Sequence, residues 1–101
     1  MDSKEKIKNF LDSDGRVKSF PAKRKLKAYV LLYLSGKFEE DRSYTEREVG
    51  EVLKQWHTFG DAATLRREMY DYHFLDRDPV KGIYCLAERR PDAEKVEEMF
   101  R

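Results

Sequence analysis

Residues 44–86 read YTEREVGEVLKQWHTFGDAATLRREMYDYHFLDRDPVKGIYCL, and their periodicity changes once, after Tyr72. Before that point apolar residues recur at helical spacing. Thr45 and Glu48 have the spacing of a capping box, in which each side chain satisfies an orphan N–H near the other. A helix is expected to start there and to bury Val49, Val52, Leu53 and Trp56. Thr58-Phe59-Gly60 breaks it. Asp61 is a good N-cap for a second helix, Ala62 to Tyr72, with Ala62, Leu65, Met69 and Tyr72 on one face. Then Phe74 to Arg77 reads as a strand, Asp78-Pro79-Val80-Lys81-Gly82 as a turn, and Ile83 to Leu86 as a returning strand. Two short capped helices with a tight connection make a helix-turn-helix. The hairpin that follows at once stands where a wing would be.

The flanking segments extend this plan. Arg42-Ser43-Tyr44 reads as a brief extended bridge that can add a third strand, since isolated hairpins are marginal. Pro21 suits the first turn of a helix, in which Leu26, Tyr29, Val30 and Tyr33 recur at helical spacing, with Leu32 and Leu34 widening the stripe. That helix ends near Gly36, and Phe38 anchors the departing chain. An opening helix over 3–11, capped by Ser3, carries Ile7, Phe10 and Leu11 on one edge, and Asp12-Ser13-Asp14-Gly15 forms a turn. Val17 to Phe20 is expected to be extended, because Pro21 disfavours α geometry at Phe20. A last helix over 91–101 starts at Pro91, with Val96, Met99 and Phe100 along one side. The order predicts one α+β domain over 1–101, a winged helix-turn-helix that is mostly helical, with a small antiparallel hairpin and an extra C-terminal helix.

Composition limits the function classes. Of 101 residues, 40% are hydrophobic and 41% charged, so the chain can fold and its surface is densely ionic. The 21 basic and 20 acidic residues leave a net charge of +1. Nucleic-acid binding would therefore need local segregation of charge, not bulk attraction. Cys85 is the only cysteine, which excludes an intrachain disulfide and fits a reducing cytoplasm. No apolar run approaches the roughly 20 residues needed to cross a bilayer. A soluble cytoplasmic protein is expected.

Phe20-Pro21-Ala22-Lys23-Arg24-Lys25, Tyr44-Thr45-Glu46-Arg47-Glu48-Val49, Leu65-Arg66-Arg67-Glu68 and Leu75-Asp76-Arg77 together resemble a bacterial domain of unknown function. That family occurs alone or at the C-terminus of winged-helix transcriptional regulators, so the resemblance implies a regulatory context. It runs from Phe20 to Tyr84, and its motifs are structural rather than catalytic. Where the family usually has an Asn after the Val of the second motif, this chain has Gly50, which costs roughly 1 kcal/mol of helix propensity against Ala.

On the helix 62–72, with Leu65 and Met69 inward, Arg67 falls at the middle of the opposite face, flanked by Ala63, Thr64, Tyr70 and Asp71. In a helix-turn-helix this face enters the major groove, where an Arg can grip guanine O6 and N7 together. Ala63 and Thr64 are small enough to permit close approach. The alternative is a solvated face with Arg67 paired to a carboxylate; Glu68 and Asp71 would repel phosphate. Arg66 sits nearer the core edge, where an ion pair or stem packing is expected. Lys23, Arg24, Lys25 and Lys27 form the strongest basic cluster and could hold phosphates, or could be an ordinary charged helix surface. Arg16 and Lys18 could extend it. Arg77 and Lys81 in the hairpin could reach a groove, diluted by Asp76 and Asp78.

No catalytic arrangement is legible, and no enzyme, cofactor or metal is expected. His57, His73 and Cys85 lack the spacing of a zinc site; both histidines are expected as C-terminal helix caps. There is no Gly-rich phosphate loop. Two functions follow. One is a DNA-associated regulator that docks helix 62–72 in the major groove of double-stranded DNA. The other is a protein-interaction or dimerisation module of the same shape that does not bind DNA. The apolar edges of the terminal helices could pack on the domain's own core or form a homodimer contact.

Overall fold

The computed structural model describes residues 3–101 apart from the side chain of Ser3, so the cap expected from Ser3 lies outside the described residues. In chain order the elements are α1 (Ser3–Ile7) with a 3-10 turn (Lys8–Phe10), α2 (Arg24–Ser35), β1 (Tyr44–Thr45), α3 (Glu46–Gln55), α4 (Ala62–Asp71), β2 (Leu75–Asp78), β3 (Ile83–Leu86) and α5 (Ala93–Met99). The fold is α+β. Its three strands form an antiparallel sheet in the order β1-β3-β2.

The capping box at the start of α3 forms in full: Glu48 N donates to Thr45 Oγ1 at 3.1 Å, and Thr45 N donates to Glu48 Oε1 at 2.9 Å. Val49 and Leu53 are buried on its inner side, while Val52 and Trp56 pack at the margin of the core. The bridge expected near Tyr44 is β1, pairing Tyr44 with Tyr84 and Thr45 with Ile83. Phe38 is buried edge-on against Tyr44 at 5.1 Å, which anchors the segment leaving α2. Asp78, expected in the turn, instead pairs with Ile83 as the last residue of β2.

Both prolines expected inside helices lie ahead of them. Pro21 is buried in the approach to α2, and Lys23, in extended geometry, is the N-cap. Pro91 is likewise buried ahead of α5, whose start is set by the Asp92 cap, with Asp92 Oδ1 accepting Lys95 N at 2.8 Å. The terminal helices contribute to the shared core: Ile7, Leu11 and Val96 are buried with Tyr29, Leu31 and Leu34 of α2. Phe100 stacks on Tyr72 with centroids 6.3 Å apart. Their apolar edges thus pack inside the chain, leaving Met99, 43% exposed, on the outside.

Val17 makes isolated bridges to Leu11 and His57. Val17 N donates to Trp56 O at 2.8 Å, and Thr58 N to Val17 O at 2.9 Å. The N-terminal segment is stitched in this way to the connection between α3 and α4.

Candidate nucleic-acid interface

Two devices hold α4. At its start, Asp61 Oδ1 accepts Thr64 N at 3.2 Å. Hydrogen bonding from Thr64 is the main reason that the Asp61 carboxyl lies below its ordinary value. Just before it, the buried ring of His57 spans the two helices. Its Nδ1 lies 2.5 Å from Leu53 O, and its Nε2 accepts Asp61 N at 2.9 Å. The pair of bonds selects the neutral ring with its proton on Nδ1. His57 therefore caps α3 as its position suggested. Its second bond, to Asp61, had no signal in the sequence.

At the other end of α4 the expected histidine cap takes a different form. His73 has φ +68°, its N–H donates to Tyr70 O at 3.1 Å, and Phe74 N donates to Met69 O at 2.8 Å. This is the paired hydrogen bonding of a left-handed helix terminator. The backbone of His73, rather than its imidazole, ends the helix.

Leu65 and Met69 are fully buried, which turns Ala63, Thr64, Arg67 and Tyr70 outward. Tyr70 is 48% exposed. Arg67 enters none of the ion pairs found among the described residues, although its charge helps to hold the Asp61 carboxyl low. Arg66 behaves as its core-edge position suggested, with Nη2 3.7 Å from Glu46 Oε1, tying α4 to α3.

The basic cluster at the start of α2 is divided. Lys23 is exposed and forms no ion pair among the described residues. Arg24 lies 5.8 Å from the centroid of the Phe100 ring. Lys25 Nζ is 2.8 Å from Glu97 Oε1, and Lys27 Nζ is 3.8 Å from Glu68 Oε1, with the Phe20 ring 5.5 Å away. Glu97 is the centre of a small network that also receives the Tyr29 hydroxyl and lies 4.0 Å from Lys6. Lys25 is the main reason its carboxyl lies low. Burial first, then Glu97, pushes the Tyr29 phenol up to about 12. Nothing in the local pattern announced Glu97, which lies 68 residues from Tyr29. Arg16 is held by Asp12 at 3.2 Å and Asp14 at 3.5 Å, so its charge is answered locally.

In the hairpin, Arg77 lies 5.9 Å from the Tyr84 ring centroid. Asp78 Oδ1 accepts the N–H groups of Val80 and Lys81, which folds the tip tightly and leaves Val80 93% exposed beside Lys81. Acidic Glu46 and Glu48 stand at the start of α3. Among the described residues no group of three His, Cys, Asp or Glu side chains could hold a metal ion, and no helix is long and apolar enough to cross a membrane.

This arrangement, two capped helices followed by a hairpin, falls within residues 16–86, and that stretch matches the model of a family described as an uncharacterized protein conserved in bacteria. The chain belongs to that family, DUF2087. No curated protein and no solved structure matches this chain. Helices α1 and α5 lie outside the family match.

Proposed function

We propose that the chain is a winged helix-turn-helix module that contacts double-stranded DNA in transcriptional regulation. In this reading α3 and α4 are the helix-turn-helix, α4 enters the major groove, and the β2–β3 hairpin is the wing. The carrying observation is the outward face of α4. There an Arg67 free of ion pairs among the described residues stands between small Ala63 and Thr64 and exposed Tyr70. Lys23, Arg24, Arg77 and Lys81 supply phosphate contacts, whereas Lys25 and Lys27 contribute less because Glu97 and Glu68 already hold them. A cytoplasmic setting accords with the free, half-buried thiol of Cys85.

About four phosphate contacts give a log–log salt slope of about −3.6. A fourfold rise in salt should then weaken binding about 150-fold. Fluorescence anisotropy of a labelled mixed-sequence duplex tests this directly. Saturable binding at low salt that collapses with that slope supports the reading, and no binding at low salt overturns it.

A second reading, a protein-interaction or dimerisation module of the same shape, is favoured by one specific observation: carboxylates of this chain occupy Lys25 and Lys27. A homodimer contact on the terminal helices would centre on Met99, since Ile7, Leu11 and Val96 are buried. Under this reading the duplex leaves anisotropy unchanged, while sedimentation shows self-association.

A further inference from the structure

Beside the C-terminal end of α2 lies a cleft of about 760 Å³ that none of the proposed DNA-contacting residues lines. Its volume falls in the range of small-molecule sites. Leu32, Phe38, Leu86 and Ala93 supply apolar walls, and Lys37, Arg90 and Glu40 supply the charged groups.

The two cations differ in how they are held. Lys37 Nζ sits 3.9 Å from the centroid of the Trp56 ring and 4.7 Å from that of Tyr33. Aromatic faces attract an ammonium but do not neutralise it. Burial and the like charge of Lys4 hold the Lys37 pKa below its ordinary value. Among the described residues no carboxylate offsets either effect. Arg90 is fixed from behind: its Nη1 donates to Ala87 O at 3.0 Å, and its Nη2 holds the Glu40 carboxylate. Glu40 itself is largely exposed, on the segment between α2 and β1. The guanidinium is thus already oriented to hold a carboxylate, supplied at present by a displaceable side chain. Two cations and one carboxylate leave one positive charge in the cleft.

We propose that this cleft binds a small organic monocarboxylate with an apolar body. The ligand's carboxylate lies between Lys37 and Arg90, taking the place of Glu40, and its body rests on Leu32, Phe38, Leu86 and Ala93. A monoanion balances the residual charge, and the mixed walls reject a bare inorganic anion. The site is independent of DNA contact, so either can fail alone.

The test is a titration of the full chain with 2-naphthoate, and separately with neutral 2-naphthamide, followed by amide chemical shifts. Naphthoate should give saturable shifts at Gly36, Lys37 and Leu86, and the amide should bind at least about tenfold more weakly. Lys37→Gln should weaken naphthoate about tenfold, whereas Glu40→Gln should tighten it by removing the internal competitor. The Glu40 variant changes a largely exposed side chain and keeps the fold. The proposal is overturned if naphthoate gives no saturable shifts, if the amide binds equally well, if the shifts fall on α4, or if Glu40→Gln weakens binding.

Discussion

Nε2 of His57 accepts the backbone N–H of Asp61 at 2.9 Å, so the residue that closes α3 also holds the residue that caps α4. The opposite ring nitrogen meets Leu53 O at 2.5 Å, in a site only 5% exposed. The angle between the two helices is therefore set partly by one imidazole.

Replacing it should show in stability. His57→Ala leaves the partly buried Asp61 N–H without its partner, at a cost of about 1–3 kcal/mol, and takes one of two hydrogen bonds from Leu53 O, which keeps the Trp56 N–H at 3.0 Å. We expect a loss of about 1–3 kcal/mol in urea unfolding. A loss below about 1 kcal/mol would mean that the imidazole bridge contributes little.

The Tyr29–Glu97 contact predicts two pH effects. Lys25, then Tyr29, hold the Glu97 carboxyl below its unfolded value of 4.5. The stability this supplies is complete above that value and is lost as pH falls through the lower folded one. Glu97→Gln should flatten the acid side of a melting-temperature profile. Tyr29 runs the other way. Its phenol ionises near 10.0 unfolded and about 12 folded, so stability falls as pH rises between them. Tyr29→Phe should remove that alkaline loss, together with one late step in the phenolate absorbance titration. Profiles that overlay the wild type would refute the coupling.

His73 holds a left-handed backbone with an exposed ring, a conformation costing roughly 1–2 kcal/mol for a residue with a Cβ. His73→Gly should raise stability by about 1 kcal/mol after the entropy of the more flexible unfolded chain is counted. His73→Ala, which keeps the Cβ, should bring no comparable gain. Equal effects of the two variants would place the cost elsewhere.

Opposite outcomes are expected at two glycines. A Cβ at Gly50, within α3, meets nothing within 4 Å, so Gly50→Ala should stabilise by about 0.5–1 kcal/mol. At Gly15, φ is +78° and an added Cβ would lie 3.0 Å from the Tyr33 hydroxyl, which donates to Gly15 O at 2.6 Å. Gly15→Ala should lower the thermal midpoint. A pair of shifts with the same sign would contradict this account.

The proposed DNA contact separates three variants. Arg67→Ala should cost about 1–3 kcal/mol on a preferred sequence and little on a mixed one. Lys23→Ala should weaken all sequences alike. Lys25→Ala should matter less than Lys23→Ala, because Glu97 already holds that ammonium. Competition binding on two duplexes reads all three, and indistinguishable variants would refute the assignment.

Much of the fold could be read without coordinates. Thr45 with Glu48, and Asp61 with Thr64, act across three residues, so their spacing states their bonds. The helical stripes placed Leu65 and Met69 inward, and therefore Arg67 outward. Pro21 and Pro91 misled because the N-caps lie beyond them: Lys23 is still extended ahead of α2, and the Asp92 side chain caps α5. The cleft at Lys37 and Arg90 was invisible, since its walls come from α2, the segment after it, β3 and α5.

The amino-acid sequence alone determined where the helices around 45–72 begin, where the hairpin turns, and which residues point inward, because capping, turn formation and amphipathic spacing act over a few neighbouring positions. Only the tertiary structure decided which cations stay available. Lys25 meets Glu97 and Lys27 meets Glu68 through helix packing that brings distant positions together, and an ion pair depends on distance in space rather than separation along the chain.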